Sequence, residues 1–379
     1  MEKKQLIQKL LRFGSYVLVA ALASTLTWFL LPGGGKLAQL YAMIDSRYVG
    51  QVDKTAITDI AAYAMVAALE DPWSYYIPAD QYAAHLENEN NEYVGVGITV
   101  SKRQDETGYD ITDVTPNGPA QQAGILPGDI ATHADGQFLG ELDMSEVRGI
   151  IMGKANTRVQ ITVLREEKIL EFSVTRKVFH VPAATGQMLT DTVGLVRIDN
   201  FHWGCAKESI AAIEALLDQG AQSLVLDVRD NPGGFTDELV ALLDYLLPEG
   251  PLFKTVNEDG WESVDKSDAK CLELPMAVLI NGNSYSAAEF FAAALSEYDW
   301  AVTVGEKTVG KGYYQVTKPL IDGSAVNLSV GKYYTPNGVN LAEAGGLEPE
   351  IFVEPAQSYV SIQDDPQVQA AVAALTGKS

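Results

Sequence analysis

The segment Leu279-Ile280-Asn281-Gly282-Asn283-Ser284-Tyr285-Ser286-Ala287-Ala288-Glu289 runs from apolar residues through a polar turn into an alanine-rich stretch. A strand that feeds a helix through a tight turn lifts a side chain out of its sheet, as in nucleophile elbows. Ser286 then stands at the helix N-terminus, where free N–H groups and the positive dipole end favour an oxyanion. The same residues also read as a capping box, Ser-x-x-Glu, whose serine and glutamate only satisfy helix-end donors. Ser284 is an equal candidate for the cap.

Farther along stands Gly305-Glu306-Lys307-Thr308-Val309-Gly310-Lys311-Gly312. It matches most of a phosphate-binding loop, but Gly312 replaces the hydroxyl residue that would hold magnesium. The residues that follow, Tyr313-Tyr314-Gln315-Val316-Thr317, read as a strand where that loop needs a helix, so nucleotide binding is excluded. A lysine between two glycines is one that can be pressed against other backbone. Buried there, it loses hydration of its charged form and its pKa falls, so that a neutral amine can take a serine proton. An exposed loop lysine is the alternative, and Lys307 is a decoy in the same loop.

These residues need elements to hold them. Periodicity predicts helices within 37–86, broken at Asp71-Pro72-Trp73-Ser74-Tyr75-Tyr76, then a polar linker at 87–92. Short strands are predicted at 94–100, 109–114, 158–164 and 169–175, with helices at 119–123 and 145–152. From 190 on, strands at 193–198, 223–228, 275–280 and 301–304 alternate with helices at 205–217, 238–247 and 287–298, which argues for an α/β layer. The stretch 325–353 returns to strands, and 366–375 is a short helix.

Taken together, the residues resemble the carboxy-terminal processing proteases, a family of Ser-Lys serine proteases. The resemblance rests on Ser284-Tyr285-Ser286-Ala287-Ala288-Glu289, Gly310-Lys311-Gly312-Tyr313-Tyr314-Gln315 and Asp227-Val228-Arg229-Asp230-Asn231-Pro232-Gly233-Gly234. It extends to Asp71-Pro72-Trp73-Ser74-Tyr75-Tyr76, Tyr333-Tyr334-Thr335-Pro336-Asn337-Gly338 and Gly346-Leu347-Glu348-Pro349-Glu350. It implies Ser286 as nucleophile, Lys311 as general base and Gln315 as the residue orienting that lysine. It implies an oxyanion hole from the N–H of Ala287 and one from the glycine turn, Gly233 being favoured with Gly234 left open. Residues 93–178 resemble a PDZ domain, with Gly95-Val96-Gly97-Ile98 as its carboxylate-binding loop. Met152 stands where many relatives carry arginine.

The implied fold is multidomain α+β: a membrane helix, a helical segment, a PDZ domain (a partly open β-barrel with two helices), and an α/β core of Clp-protease or crotonase type with a strand-rich C-terminal part. The expected boundaries are 1–12, 13–31, 36–91, 93–178, 179–356 and a tail at 357–379. The implied activity is endoproteolysis near substrate C-termini without a cofactor or metal, the PDZ domain recruiting or gating tails. A catalytically silent, membrane-tethered PDZ scaffold is the rival.

Compartment and partners follow from the bulk. Lys3, Lys4, Lys9 and Arg12 precede an uncharged run at 13–31, about the length that spans a bilayer. Basic residues before it place the N-terminus in the cytoplasm and the rest outside the cell membrane, with an uncleaved anchor favoured over a signal peptide. The net charge of −23 disfavours nucleic acid. The 4 histidines and 2 cysteines show no metal-ligand spacing. The expected partners are proteins or peptides with exposed C-termini, the membrane, and a second copy through the N-terminal helices.

Overall fold

The computed structural model describes residues 34–115, 117–356 and 360–377. The membrane-spanning segment expected at 13–31 lies outside them. Among the described residues no helix is long and apolar enough to cross a membrane. The chain divides at Glu70 into two units.

The first unit holds the helices Gly34–Arg47 and Lys54–Ala67. Asp53 caps the second, its carboxylate accepting from Ala56 N at 3.0 Å. No residue of that helix is buried, and Ile60, Tyr63 and Met65 are exposed.

In the second unit, residues Asp71 to Ile77 break the helical pattern as expected, and Tyr75–Ile77 forms a strand. The helix Ala79–Glu89 then runs into the polar stretch expected to be a linker. Polarity misled there because Asn91 is buried, its amide oxygen taking a hydrogen bond from Asn200 Nδ2 at 2.8 Å. The single strand expected at 94–100 is two, Glu92–Gly95 and Ile98–Lys102, parted at Gly97 with φ of 76°. The first pairs with Lys177–His180. The second opens a sheet in the order Ile98–Lys102, Tyr109–Val114, Ile130–Ala134, Arg158–Arg165, Lys168–Thr175. Its core gathers Tyr109, Ile111, Ile125, Leu139, Val159 and Ile161 with Val147 and Ile151 of the helix Met144–Ile151. Asp143 and Glu146 form that helix's capping box.

The α/β core is a six-stranded sheet. The strands Val193–Ile198, Ser223–Asp227, Met276–Ile280, Ala301–Gly305 and Ile351–Phe352 run parallel, and Ala184–Met188 pairs antiparallel at one edge. The central strands are buried on both faces, hence the apolar runs at 224–226 and 276–280. Leu224, Leu226, Val278 and Ile280 share a core with the helices Cys205–Asp218, Thr236–Leu246 and Ala287–Glu297. Val225, Ala277 and Leu279 share the other with Val368 and Ala371 of the helix Pro366–Thr376. That helix, expected as part of a tail, closes the second face of the sheet.

A second sheet stands beside it. Ala325–Tyr334 pairs with Tyr75–Ile77, Tyr313–Pro319 and Gly250–Asn257, and the last pairs with Glu262–Ser267. The hairpin at 250–267 has no counterpart in the sequence reading, and 335–350, expected as strand, holds a turn and the short helix Leu341–Ala344.

The Asp227-x-Arg229 pair ties sheet to tail. Arg229 donates to both Asp227 oxygens at 2.9 and 2.7 Å, and to Asp365 at 2.7 Å and Gln367 at 2.8 Å. Without the Arg229 guanidinium, the buried Asp227 would keep only Arg197, at 3.2 Å, as a charged partner, leaving its charge poorly compensated. Arg229→Met is expected to cost about 3 kcal/mol, read as a lower urea midpoint in equilibrium unfolding.

Candidate active site

Ser286 sits where the strand Met276–Ile280 has ended and the helix Ala287–Glu297 begins. Its φ of 59° and ψ of −128° are strained for a side chain-bearing residue, as an elbow requires. Its hydroxyl takes a hydrogen bond from the Tyr333 hydroxyl at 3.2 Å. Ser284 is the structural serine. It is fully buried, donating to Val228 O at 2.8 Å and accepting from Asn281 N at 3.1 Å.

The capping-box glutamate does more than cap. Glu289 is buried, and its carboxylate accepts from Ser286 N at 2.9 Å, Thr308 Oγ1 at 2.5 Å, Gly310 N at 2.6 Å and Lys311 N at 2.9 Å. One side chain thereby joins the Ser286 turn to the Lys311 loop. Burial raises its pKa, against the four donors that lower it.

The two glycines around Lys311 are close-approach positions. At Gly310, with φ of 88°, a Cβ would lie 2.7 Å from Gly346 N; at Gly312 it would lie 2.3 Å from Asn340 Oδ1. Lys311 is 9% exposed, and burial brings its pKa down to about 8, against the opposing fields of Asp71 and Glu289. Lys307 is exposed and paired with Glu348 at 2.8 Å. Lys311 Nζ makes no hydrogen bond to Ser286 Oγ. It stands 4.8 Å above the Trp73 ring, and Trp73 in turn packs on Tyr285 with centroids 5.6 Å apart.

Gln315 lines the same cleft, but its amide donates to Tyr313 O at 2.9 Å and Ser329 Oγ at 3.0 Å rather than holding Lys311. In the glycine turn, a Cβ on Gly233 would fall 2.6 Å from Ser286 Cβ, so this turn is packed against Ser286. The Gly233 N–H, however, donates to Asn231 Oδ1 at 2.8 Å. The N–H groups of Gly234 and Ala287 have no partner among the described residues.

A cleft of about 1070 Å³ brings Ser286, Ala287, Lys311, Gln315, Gly233 and Gly234 together. Trp203, stacked on Phe235 at 4.2 Å, lines it farther out. The carboxylate-loop candidates lie elsewhere, and among the described residues none of 93–178 lines the cleft. In that loop Val96 O accepts from Ala120 N at 2.9 Å and Gly97 O from Thr115 N at 3.0 Å. Its Val96 and Gly97 N–H groups find no partner among the described residues, and Gly95 and Ile98 flank them on strands. Sequence reasoning missed the contacts of Tyr333, Trp73 and Asp71 with the site. The only signal was their presence in motifs remote in sequence.

The pattern of Peptidase family S41 matches residues 192–353, that of the PDZ domain residues 94–175, and that of the activating protease CtpB N-terminal domain residues 27–81. The carboxyl-terminal-processing protease of Synechocystis sp. (strain ATCC 27184 / PCC 6803 / Kazusa) is 31% identical, over 84% of this chain and 77% of that protein. The chain belongs to the carboxyl-terminal-processing protease family. A probable CtpA-like serine protease of Staphylococcus aureus (strain N315) is 29% identical over 84% of this chain, and the match spans 64% of that relative's length. The photosystem II D1 C-terminal processing protease superposes with a TM-score of 0.51 and 25% identity, over 85% of this chain and 86% of its own.

A folded-state pKa near 8 against an ordinary 10.5 means that the unfolded chain binds more protons between those values, so this site's stability contribution rises with pH across that window. Lys311→Met is expected to stabilise the fold at pH 7 by about 2 kcal/mol and to flatten that rise in urea unfolding at pH 7 to 10. Glu289→Gln, which turns an amide N–H toward other donors, is expected to destabilise by about 2–4 kcal/mol in the same measurement.

Proposed function

We propose that this chain is a serine endopeptidase that cuts proteins near their C-termini, with Ser286 as nucleophile and Lys311 as general base. The observation that carries this is a strained, buried serine at a helix N-terminus sharing one cleft with a desolvated lysine. Neutral Lys311 takes the Ser286 proton as the hydroxyl oxygen attacks the scissile carbonyl. The Ala287 N–H, with Gly234 or Gly233, receives the oxyanion at the positive end of the helix Ala287–Glu297. Lys311 then gives its proton to the leaving amine and takes one from the water that cleaves the acyl-enzyme. A turn of Lys311 off the Trp73 face brings base and nucleophile into line, with Gln315 available to orient it. The residues before Phe13 are proposed to be cytoplasmic, 13–31 to anchor the chain in the cell membrane, and the catalytic part to face outward. The PDZ domain recruits or gates substrate tails through the loop Gly95-Val96-Gly97-Ile98, whose free N–H groups suit a terminal carboxylate.

The test is cleavage of an unfolded protein with an apolar C-terminus, followed by mass spectrometry. The full chain is expected to cut it and Ser286→Ala to lose the activity; equal cleavage by both would reject Ser286. The kcat/KM profile is expected to rise tenfold per pH unit below about 8 and level off above it, because only neutral Lys311 is a base. A profile flat from pH 6 to 9 would reject Lys311. Removing 93–178 is expected to abolish the preference for C-terminal cuts.

A further inference from the structure

The segment from Asp71 to Ile77 lies across the lysine side of the cleft and is secured by its backbone. Tyr75, Tyr76 and Ile77 pair with Asn327, Val326 and Ala325. Asn327 Nδ2 donates to Trp73 O at 3.1 Å. Ser329 N donates to Ser74 Oγ at 3.0 Å, and Ser74 Oγ donates to Asp71 Oδ2 at 2.5 Å. Trp73 N donates to Asp71 Oδ1 at 3.1 Å. None of these bonds needs the Trp73 ring, and an asparagine at 71 would remove the charge while keeping one of the two acceptor oxygens. Yet the ring is turned onto the cleft, one face 4.8 Å from Lys311 Nζ and the ring packed on Tyr285 beside the nucleophile. Asp71 acts on the same lysine by its field, without a direct ion pair, and is held below its usual carboxylate range. Burial opposes that ionisation, but the bonds from Ser74, Ser329 and Trp73 N, with the charge of Lys311, outweigh it. Ser329 also accepts from Gln315, so one hydrogen-bonded chain runs from this segment to the residue expected to orient the base.

We propose that Asp71 and Trp73 are positioning residues for Lys311: the indole face seats its ammonium group and the carboxylate supplies its counter-charge, so this segment fixes the resting position from which the amine turns to Ser286. Its bearing on the reaction rests on Lys311 being the base. Both groups favour the charged amine. The other charged group acting on Lys311 is Glu289; the Tyr285 and Tyr333 phenols line the same cleft and are pushed above their ordinary range by burial, so they stay neutral near pH 7.

The test uses the full chain and two readouts. Competitive acetylation of Lys311 against pH, read by mass spectrometry, reports its titration whether or not the protein cuts anything. The expected midpoint falls by about half to one pH unit in Asp71→Asn and in Trp73→Leu, and stays near the parent's in Trp73→Phe. In peptide cleavage, Trp73→Leu is expected to lower kcat about tenfold or more with KM within about threefold, Trp73→Phe to recover most of it, and the acid limb of kcat/KM in Asp71→Asn to move with the labelling midpoint. An unmoved midpoint in both Asp71→Asn and Trp73→Leu overturns the proposal. A midpoint that moves while the kcat/KM limb stays supports the positioning role and rejects Lys311 as base, which separates the two failures.

Discussion

Everything at the site hangs on one buried carboxylate. Glu289 is the third residue of the helix Ala287–Glu297, and in a short peptide it would merely satisfy the helix end. Here it accepts from Ser286 N on its own turn and from Gly310 N, Lys311 N and Thr308 Oγ1 on a loop about twenty residues later. A buried carboxylate is costly unless its oxygens are filled, so it selects the one arrangement in which both loops come to it. Backbone N–H groups, not side chains, do most of the bonding, so neither the Ser286 hydroxyl nor the Lys311 amine is spent on this carboxylate.

Around that anchor the glycines allow backbones closer than a side chain would. Gly310 abuts Gly346, Gly312 abuts Asn340, and Gly233 abuts Ser286. The parallel sheet beneath is covered on both faces, so the strand ends that carry these turns have little freedom to shift. Rigidity below and close approach above desolvate Lys311 and lower its pKa.

The elements nearest the chemistry were the most legible. The strand Met276–Ile280 is wholly apolar because both faces are buried, and the helix after Ser286 is alanine-rich because it packs between elements; both signals are local. The hairpin at 250–267 was not legible, because half of it is exposed and its pairing with Ala325–Tyr334 is non-local. The helix Pro366–Thr376 was recognised, but its role was not, since only the assembled sheet shows that a second face needed covering. The resemblance favoured Gly233 with Gly234 left open, and the bond from Gly233 N to Asn231 was not legible in either glycine.

By itself the sequence determined which residue types stand at Ser286, Glu289 and Lys311, the strand-turn-helix that presents the first two, and the paired glycines that let the third be buried. These are properties of near neighbours in the chain, governed by local backbone preference and apolar periodicity. The tertiary structure alone decided that Glu289 bridges both loops, that Trp73 and Asp71 arrive over Lys311, and that Tyr333 reaches Ser286. Those meetings join residues far apart in sequence, and they exist only once sheet pairing and core packing have brought their strands together.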